Sequence, residues 1–165
     1  MTSTILRKTS ALSAAVLVAA GVALVAAPSV QAAQSDMILY FDRNYREVID
    51  LGKTGDSHGD ITITHGNLSS TPGGKKVGTY ATSQITAVMT IPGGPQSRKI
   101  DMSMTLDKGM IYTTALMSAN GGTPPTKPVA YAIIGGTGKY MGVAGQVTLN
   151  PISDTGYKAT LRFVR

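Results

Sequence analysis

The sequence predicts a single all-β domain of about eight antiparallel strands, a sandwich or a closed barrel, behind a removable N-terminal segment. Three features point there. Apolar residues recur with period two, and nothing in residues 35–165 sustains the 3.6-residue period of a helix. Clusters of Gly and Pro punctuate these runs at short spacing. The composition is 42% hydrophobic and only 15% charged, unlike the polar, highly charged composition of disordered chains.

The N-terminus comes first. Met1–Ser10 carries Arg7 and Lys8 and no acid, Ala11–Ala27 is uncharged and rich in Ala, Val and Leu, and Pro28 stops any helix. Small residues then close a cleavage site around Val30-Gln31-Ala32-Ala33. This order of basic, apolar and small-residue regions is that of a secretory signal peptide. Residues 1–33 are accordingly expected to be removed, leaving a secreted domain over 34–165. A permanent anchor fits less well, because the apolar stretch is short, diluted by Ala, Ser and Gly, and lacks a basic stop-transfer cluster. Removal takes away two bases and leaves 13 Lys and Arg against 9 Asp and Glu. No cysteine is present, so stability rests on packing and backbone pairing, and thiol catalysis and cysteine metal centres are excluded.

Along the exported part, strands are expected at Met37–Phe41, Tyr45–Leu51, Asp60–His65, Lys75–Ile91, Ile100–Asp107, Met110–Met117, Val129–Ile134, Gln146–Asn150 and Tyr157–Val164. The clearest alternation puts Ile100, Met102, Met104 and Leu106 on one face and Asp101, Ser103, Thr105 and Asp107 on the other. Tyr157, Ala159, Leu161 and Phe163 share a face in the same way. The breaks fall at Thr71-Pro72-Gly73-Gly74, Ile91–Pro95, Asn120–Pro125 and Asp154-Thr155-Gly156.

Several chemistries are weighed and set aside. Gly135-Gly136-Thr137-Gly138-Lys139 lacks the first Gly of a phosphate loop and the Ser or Thr after its Lys, since Ile133 and Tyr140 stand there. A dinucleotide fingerprint fails as well, with Met141 at the third Gly position and no βαβ unit around it. The run reads as a tight turn. Asp56, His58 and Asp60 share a period-two face, but flanking glycines make them turn residues at the start of a strand, and no metal-binding spacing is present. No G-x-S-x-G elbow supports a hydrolase. Lys75-Lys76 and Arg98-Lys99 are isolated basic pairs at loop edges, read as a mildly cationic surface. With few aromatics for stacking, they do not indicate nucleic-acid binding. No cofactor is indicated. The methionines at 89, 102, 104, 110 and 117 suit either a plain core or a pocket for an irregular apolar ligand.

Two segments resemble the allene oxide cyclase/dirigent barrel superfamily, especially its small bacterial allene-oxide-cyclase-like members. One runs through Asp50-Leu51-Gly52, Ser57-His58-Gly59-Asp60, Asn67-Leu68 and Lys76-Val77-Gly78-Thr79. The other is Ala132-Ile133-Ile134-Gly135-Gly136-Thr137-Gly138-Lys139-Tyr140, followed by Gly142, Gly145-Gln146-Val147 and Leu149. The resemblance spans Met37 to Arg165 and implies an eight-stranded antiparallel barrel with an apolar ligand in its lumen, assembled as a homodimer or homotrimer. Relatives cyclise a fatty-acid epoxide, steer phenoxy-radical coupling or shape polyketide cyclisations. The Glu on the first strand of plant cyclases has no counterpart here; Asp42 is the nearest acid. Their luminal Cys falls at about Gln84, and the Asp and Arg of dirigent proteins at Lys139 and Ala144.

The resemblance thus implies a secreted isomerase or cyclase that holds a small hydrophobic substrate folded in a dry lumen, with little acid–base machinery. Asp42 would stabilise charge or move a proton, and Gln84 would hydrogen-bond a substrate oxygen. Tyr80 and Tyr112 would offer hydroxyls on apolar rings, with Met102 and Met104 lining the site. Asp60, Gly135, Gly136 and Gly138 are structural motif residues. Two other readings stand beside it: a non-catalytic carrier of a hydrophobic ligand, and a secreted interaction protein whose barrel is filled with side chains.

Overall fold

A computed structural model of the chain describes residues 36–89, 95–120 and 125–164. Its eight strands are β1 (Asp36–Ile49), β2 (Ile61–Ser69), β3 (Lys76–Met89), β4 (Pro95–Leu106), β5 (Gly109–Asn120), β6 (Val129–Gly136), β7 (Ala144–Pro151) and β8 (Gly156–Val164). They close into one barrel in sequence order, each antiparallel to its neighbours, and β1 is hydrogen-bonded to both β2 and β8. Closure decides between sandwich and barrel, with every strand paired to two neighbours, although residues 43–49 of β1 pair with β2 alone and residues 115–120 of β5 with β4 alone. The expected signal peptide at 1–33 lies outside the described residues, as do 91–94 and 121–124 of the expected Gly/Pro breaks and the end, 90–91, of the expected strand Lys75–Ile91.

Alternation sets the inside. In β4, Gln96, Arg98, Ile100, Met102 and Met104 are all buried, while Lys99, Asp101 and Thr105 face out. Every other strand adds its own inward set: Leu39 and Phe41, Leu68, Tyr80, Ile111, Tyr131 and Ile133, Val147 and Leu149, Ala159 and Leu161. Period-two patterning across eight strands is enough to give one continuous interior.

Where the sequence divides the first strand in two, at Met37–Phe41 and Tyr45–Leu51, the structure has one. A bulge between Arg43 and Tyr45 joins the halves without breaking the ladder to β2. An extra residue there reverses which parity faces inward. Before it, Leu39 and Phe41 point to the core. After it, Tyr45 is on the outside, its ring stacked on His65 at 4.8 Å, and Arg46 turns toward the lumen. A second bulge, opposite Tyr112 and Thr113, leaves Ile134 of β6 exposed.

The two ends of the barrel differ. Where β2, β4 and β6 finish, the interior is solid: Leu68, Met104, Ile111, Val147 and Leu161 have no solvent exposure. The corner between β6 and β7 covers this end with a short 3-10 turn, Gly138–Tyr140. Thr137 N–H donates to Met110 O at 2.8 Å and Lys139 N–H to Lys108 O at 2.8 Å, docking the corner on the β4–β5 turn. Gly138 has φ +57°, and a Cβ there would lie 2.3 Å from Lys108 O; at Gly136 it would lie 2.5 Å from Met110 O. Both glycines therefore serve close backbone approach, and the run is a bend at the closed end.

Candidate functional site

At the other end, where β1, β3, β5 and β7 finish, the lumen is hollow. The cleft encloses about 740 Å³ of space not filled by atoms, with the open solvent at its mouth included. Its floor and walls are apolar: Phe41, Ile100, Met102, Met117, Val129 and Leu149. Phe41 and Tyr80 pack ring to ring at 4.7 Å and 50°, a tilted contact favoured by the ring quadrupoles.

Polar groups converge on that apolar space. Tyr80, Tyr131 and Tyr157 contribute phenols, Gln84 an amide, Thr64 and Thr82 hydroxyls, and Arg43, Arg46 and Arg98 guanidinium groups. Burial pushes the Tyr80 phenol well above its ordinary value, with Arg43 pulling the other way. Burial does the same at Tyr131, reinforced by the neighbouring Tyr157. At Tyr157 burial again raises the value against the pull of Arg43 and Arg46. All three phenols stay protonated at ordinary pH and act as neutral donors. The buried Thr82 hydroxyl has no hydrogen-bond partner among the described residues.

Arg98 is held from below. Its Nε donates to Gln96 Oε1 at 3.1 Å, and the Thr86 hydroxyl donates to the same oxygen at 3.1 Å. Only 7% of Arg98 is exposed. Burial lowers its guanidinium below the ordinary value, and Arg46 adds to that, against the opposing pull of Asp56 and Asp60. The expectation that Arg98-Lys99 is a surface pair at a loop edge is thus corrected by half. Lys99 is outside, paired with Asp101 at 2.6 Å, while Arg98 falls on the inward parity of β4.

The structure brings Gln84, Tyr80 and Met102 together in the cleft. It does not bring Asp42 there: this residue is exposed, on the outward parity of β1 opposite Asn67 and Gly156. Tyr112 also faces outward on β5, its hydroxyl 3.4 Å from Met110 Sδ. Met104 is sealed in the closed end. Asp60 anchors the loop between β1 and β2: its carboxylate accepts from Leu51 N–H at 3.0 Å, Ser57 N–H at 2.6 Å and the Ser57 hydroxyl at 3.0 Å. Those backbone hydrogen bonds hold its pKa below the usual carboxylate value. Among the described residues no group of three His, Asp or Glu is placed to hold a metal.

Sequence reasoning missed Arg43, Arg46, Arg98, Thr82 and Tyr131 as cleft residues. The signal for two of them was present: Arg98 lies two residues before Ile100, and Tyr131 two before Ile133, each on an inward parity. Arg46 carried no such signal, because the bulge at Arg43/Tyr45 shifts the parity.

No family model and no curated protein sequence matches the chain. Solved structures do. A protein described as pyocyanin demethylase is 26% identical, with a TM-score of 0.67 over 79% of this chain and all of that one. AbnU, described as an exo-specific intermolecular Diels-Alderase, is 16% identical, with a TM-score of 0.60 over 80% of this chain and 98% of its own. A pterocarpan synthase dirigent protein is 14% identical, with a TM-score of 0.60 over 83% of this chain and 93% of its own. The chain therefore has the closed barrel of the allene oxide cyclase/dirigent superfamily, as its motifs imply. Within that superfamily, barrels of this shape include a demethylase, a Diels-Alderase and a dirigent protein.

Proposed function

We infer that the protein binds a small apolar molecule in the hollow end of its lumen and directs its isomerisation or cyclisation. The observation that carries this reading is a barrel solid at one end and open at the other, with neutral donors gathered over an apolar floor. A filled interaction barrel would need no such cleft. Ligand sites have this form, mostly apolar with a few convergent polar groups. The chemistry suited to it is conformational. No Asp, Glu or His lines the cleft among the described residues, so proton transfer by a carboxylate or imidazole is not what the lining offers. Holding a flexible substrate folded, away from water, with Gln84 and the phenols donating to oxygens that gain charge, lowers the barrier without it. The similar barrels described as a Diels-Alderase and a dirigent protein support this reading.

The same absence favours one competing reading, a carrier that releases its ligand unchanged. Mass spectrometry of small molecules extracted from natively purified protein separates the two. The expected result is a bound compound that reappears as an isomer of the same mass after incubation with fresh protein. Its recovery unaltered would make the protein a carrier, and an empty extract would remove both readings. We place the site of action outside the cell, on the basic, apolar and small-residue order of residues 1–33. Detection of a chain starting near residue 33 or 34 in culture medium tests that.

A further inference from the structure

We propose that the ligand of the hollow end is a compact ring system with phenol or carbonyl oxygens along one long edge and bare hydrocarbon along the other. The oxygen edge lies on Tyr80, Thr82 and Gln84 of β3, and the hydrocarbon edge on Val129 of β6 and Leu149 of β7. The proposal rests on the luminal reading above and adds the pattern of polarity that the ligand must carry.

Polar and apolar parts of the lining are divided by strand. From β2 and β3 the cleft receives Thr64, Tyr80, Thr82 and Gln84, each ending in a hydroxyl, phenol or amide. Four strands away in the closed order, β6 and β7 face them with Val129 and Leu149, an aliphatic wall but for the Tyr131 phenol. Between the two walls β5 adds only Met117 and Ala119. The arginines of the lining belong to β1 and β4, which flank the polar wall on either side. They take no part in it, and Arg98 is already bonded to Gln96.

Within the polar wall the spacing is regular. Tyr80, Thr82 and Gln84 alternate along one strand, so successive positions are about 6.8 Å apart. Thr64 pairs directly with Thr82, which sets two hydroxyl-bearing side chains next to each other. Tyr80 is held in place from two sides. Gly66 lies opposite it, where a Cβ would come 2.9 Å from the ring's Cε1, and Phe41 packs on the ring at 4.7 Å. A phenol fixed in this way loses little freedom when a ligand binds. The Thr82 hydroxyl has no partner among the described residues, so its hydrogen bonds are open to a molecule in the cleft. Hydroxyl and amide groups both donate and accept, so a phenol or a carbonyl satisfies them equally. An oxygen on the opposite edge would be pressed against Val129 and Leu149, where its lost hydration is not replaced. The closed end sets the size: Leu68, Met104, Ile111, Val147 and Leu161 seal the lumen, so a short ring system fits and a long acyl chain finds no tunnel.

The test is calorimetric titration of the purified protein with 2,7-dihydroxynaphthalene and with its 2,6 isomer. The two match in formula, charge and size. The 2,7 isomer carries both hydroxyls on one long edge, about one strand repeat apart, and the 2,6 isomer carries them on opposite edges. The 2,7 isomer is expected to bind about three- to tenfold more tightly, the worth of one further neutral hydrogen bond. Thr82→Val, which keeps the shape and removes the hydroxyl, should erase most of that preference, and Gln84→Leu should reduce it. Thr105→Val, exposed on the outer face of β4, should leave it intact. Met117→Trp should block both isomers. Equal binding of the two, or tighter binding of the 2,6 isomer, with both blocked by Met117→Trp, would overturn the proposal and leave the luminal reading standing. A preference unchanged by both Thr82→Val and Gln84→Leu would do the same. Binding that survives Met117→Trp would lie outside the cleft and overturn it as well. Failure of both isomers to bind would also overturn it, and an empty native extract alongside that failure would remove the luminal reading with it.

Discussion

The closed and open ends of this barrel are made from the same eight strands with the same alternation, yet they do different work. At the closed end the innermost positions hold aliphatic or thioether side chains, with the stacked Tyr140 and Phe163 beside them, and Leu68, Met104, Ile111, Val147 and Leu161 have no exposure. At the open end the inward positions of those strands hold Arg43, Arg46, Gln84, Arg98, Tyr131 and Tyr157. These side chains line the wall and leave the centre hollow. An eight-stranded barrel is just wide enough for either outcome. Which one occurs is decided by the volume and polarity of each inward layer, so one fold carries a structural plug and a cleft a few residues apart.

The largest expected effect sharpens this contrast. Leu161→Ala at the closed end should cost about 2–5 kcal/mol, because the cavity left behind is sealed. Met117→Ala on the cleft wall should cost only about 1 kcal/mol, since its lost atoms faced space that solvent or ligand fills. Urea unfolding of both variants measures the difference, and equal costs would mean that the two ends are packed alike.

Next in size is an acid effect on the loop at the open end. The lowered folded pKa of Asp60 means its contribution to stability is present above the unfolded value, near 4, and is lost as pH falls through the folded value. Melting temperatures taken from neutral pH down to about 2 should fall below about pH 4. Asp60→Asn should start lower and lose part of that slope. An unchanged slope would show that the carboxylate does not anchor the loop.

Smaller again are the changes confined to the cleft. Gln84→Ala should weaken ligand binding or turnover about 2–10-fold, the worth of one neutral hydrogen bond, with little change in unfolding. Tyr80→Phe keeps the ring against Phe41 and removes only a hydroxyl. It should leave stability within about 0.5 kcal/mol while lowering affinity a few-fold. A large loss of stability from Tyr80→Phe would turn this phenol into a core group, not a donor to ligand.

Much of the fold was legible because it rests on local rules. Period-two alternation with Gly and Pro punctuation marked the strands, and the run from Ala132 to Tyr140 carried the resemblance to the superfamily, with Gly136 and Gly138 at close backbone approaches. The site was legible in part. Gln84, Tyr80 and Met102 line the cleft, whereas Asp42 and Tyr112 lie outside it, because alternation states which residues share a face and not which face is inner. In β1 even that rule broke down, since the bulge between Arg43 and Tyr45 depends on pairing with β2, a long-range property absent from the local pattern. The buried Arg98 was hidden for another reason. An Arg beside a Lys reads as surface, and its hydrogen bond to Gln96, an oxygen shared with Thr86 across the β3–β4 pair, is a tertiary feature that the local pattern does not carry.

The most direct test compares the native protein with Met117→Trp, which places an indole in the hollow end and leaves the sealed end untouched. Native mass spectrometry of the folded wild-type chain should show a small molecule at near-equal stoichiometry. The Trp variant, of equal fold by circular dichroism, should have lost it. The same bound mass on both proteins, or on neither, would contradict a ligand site in the lumen.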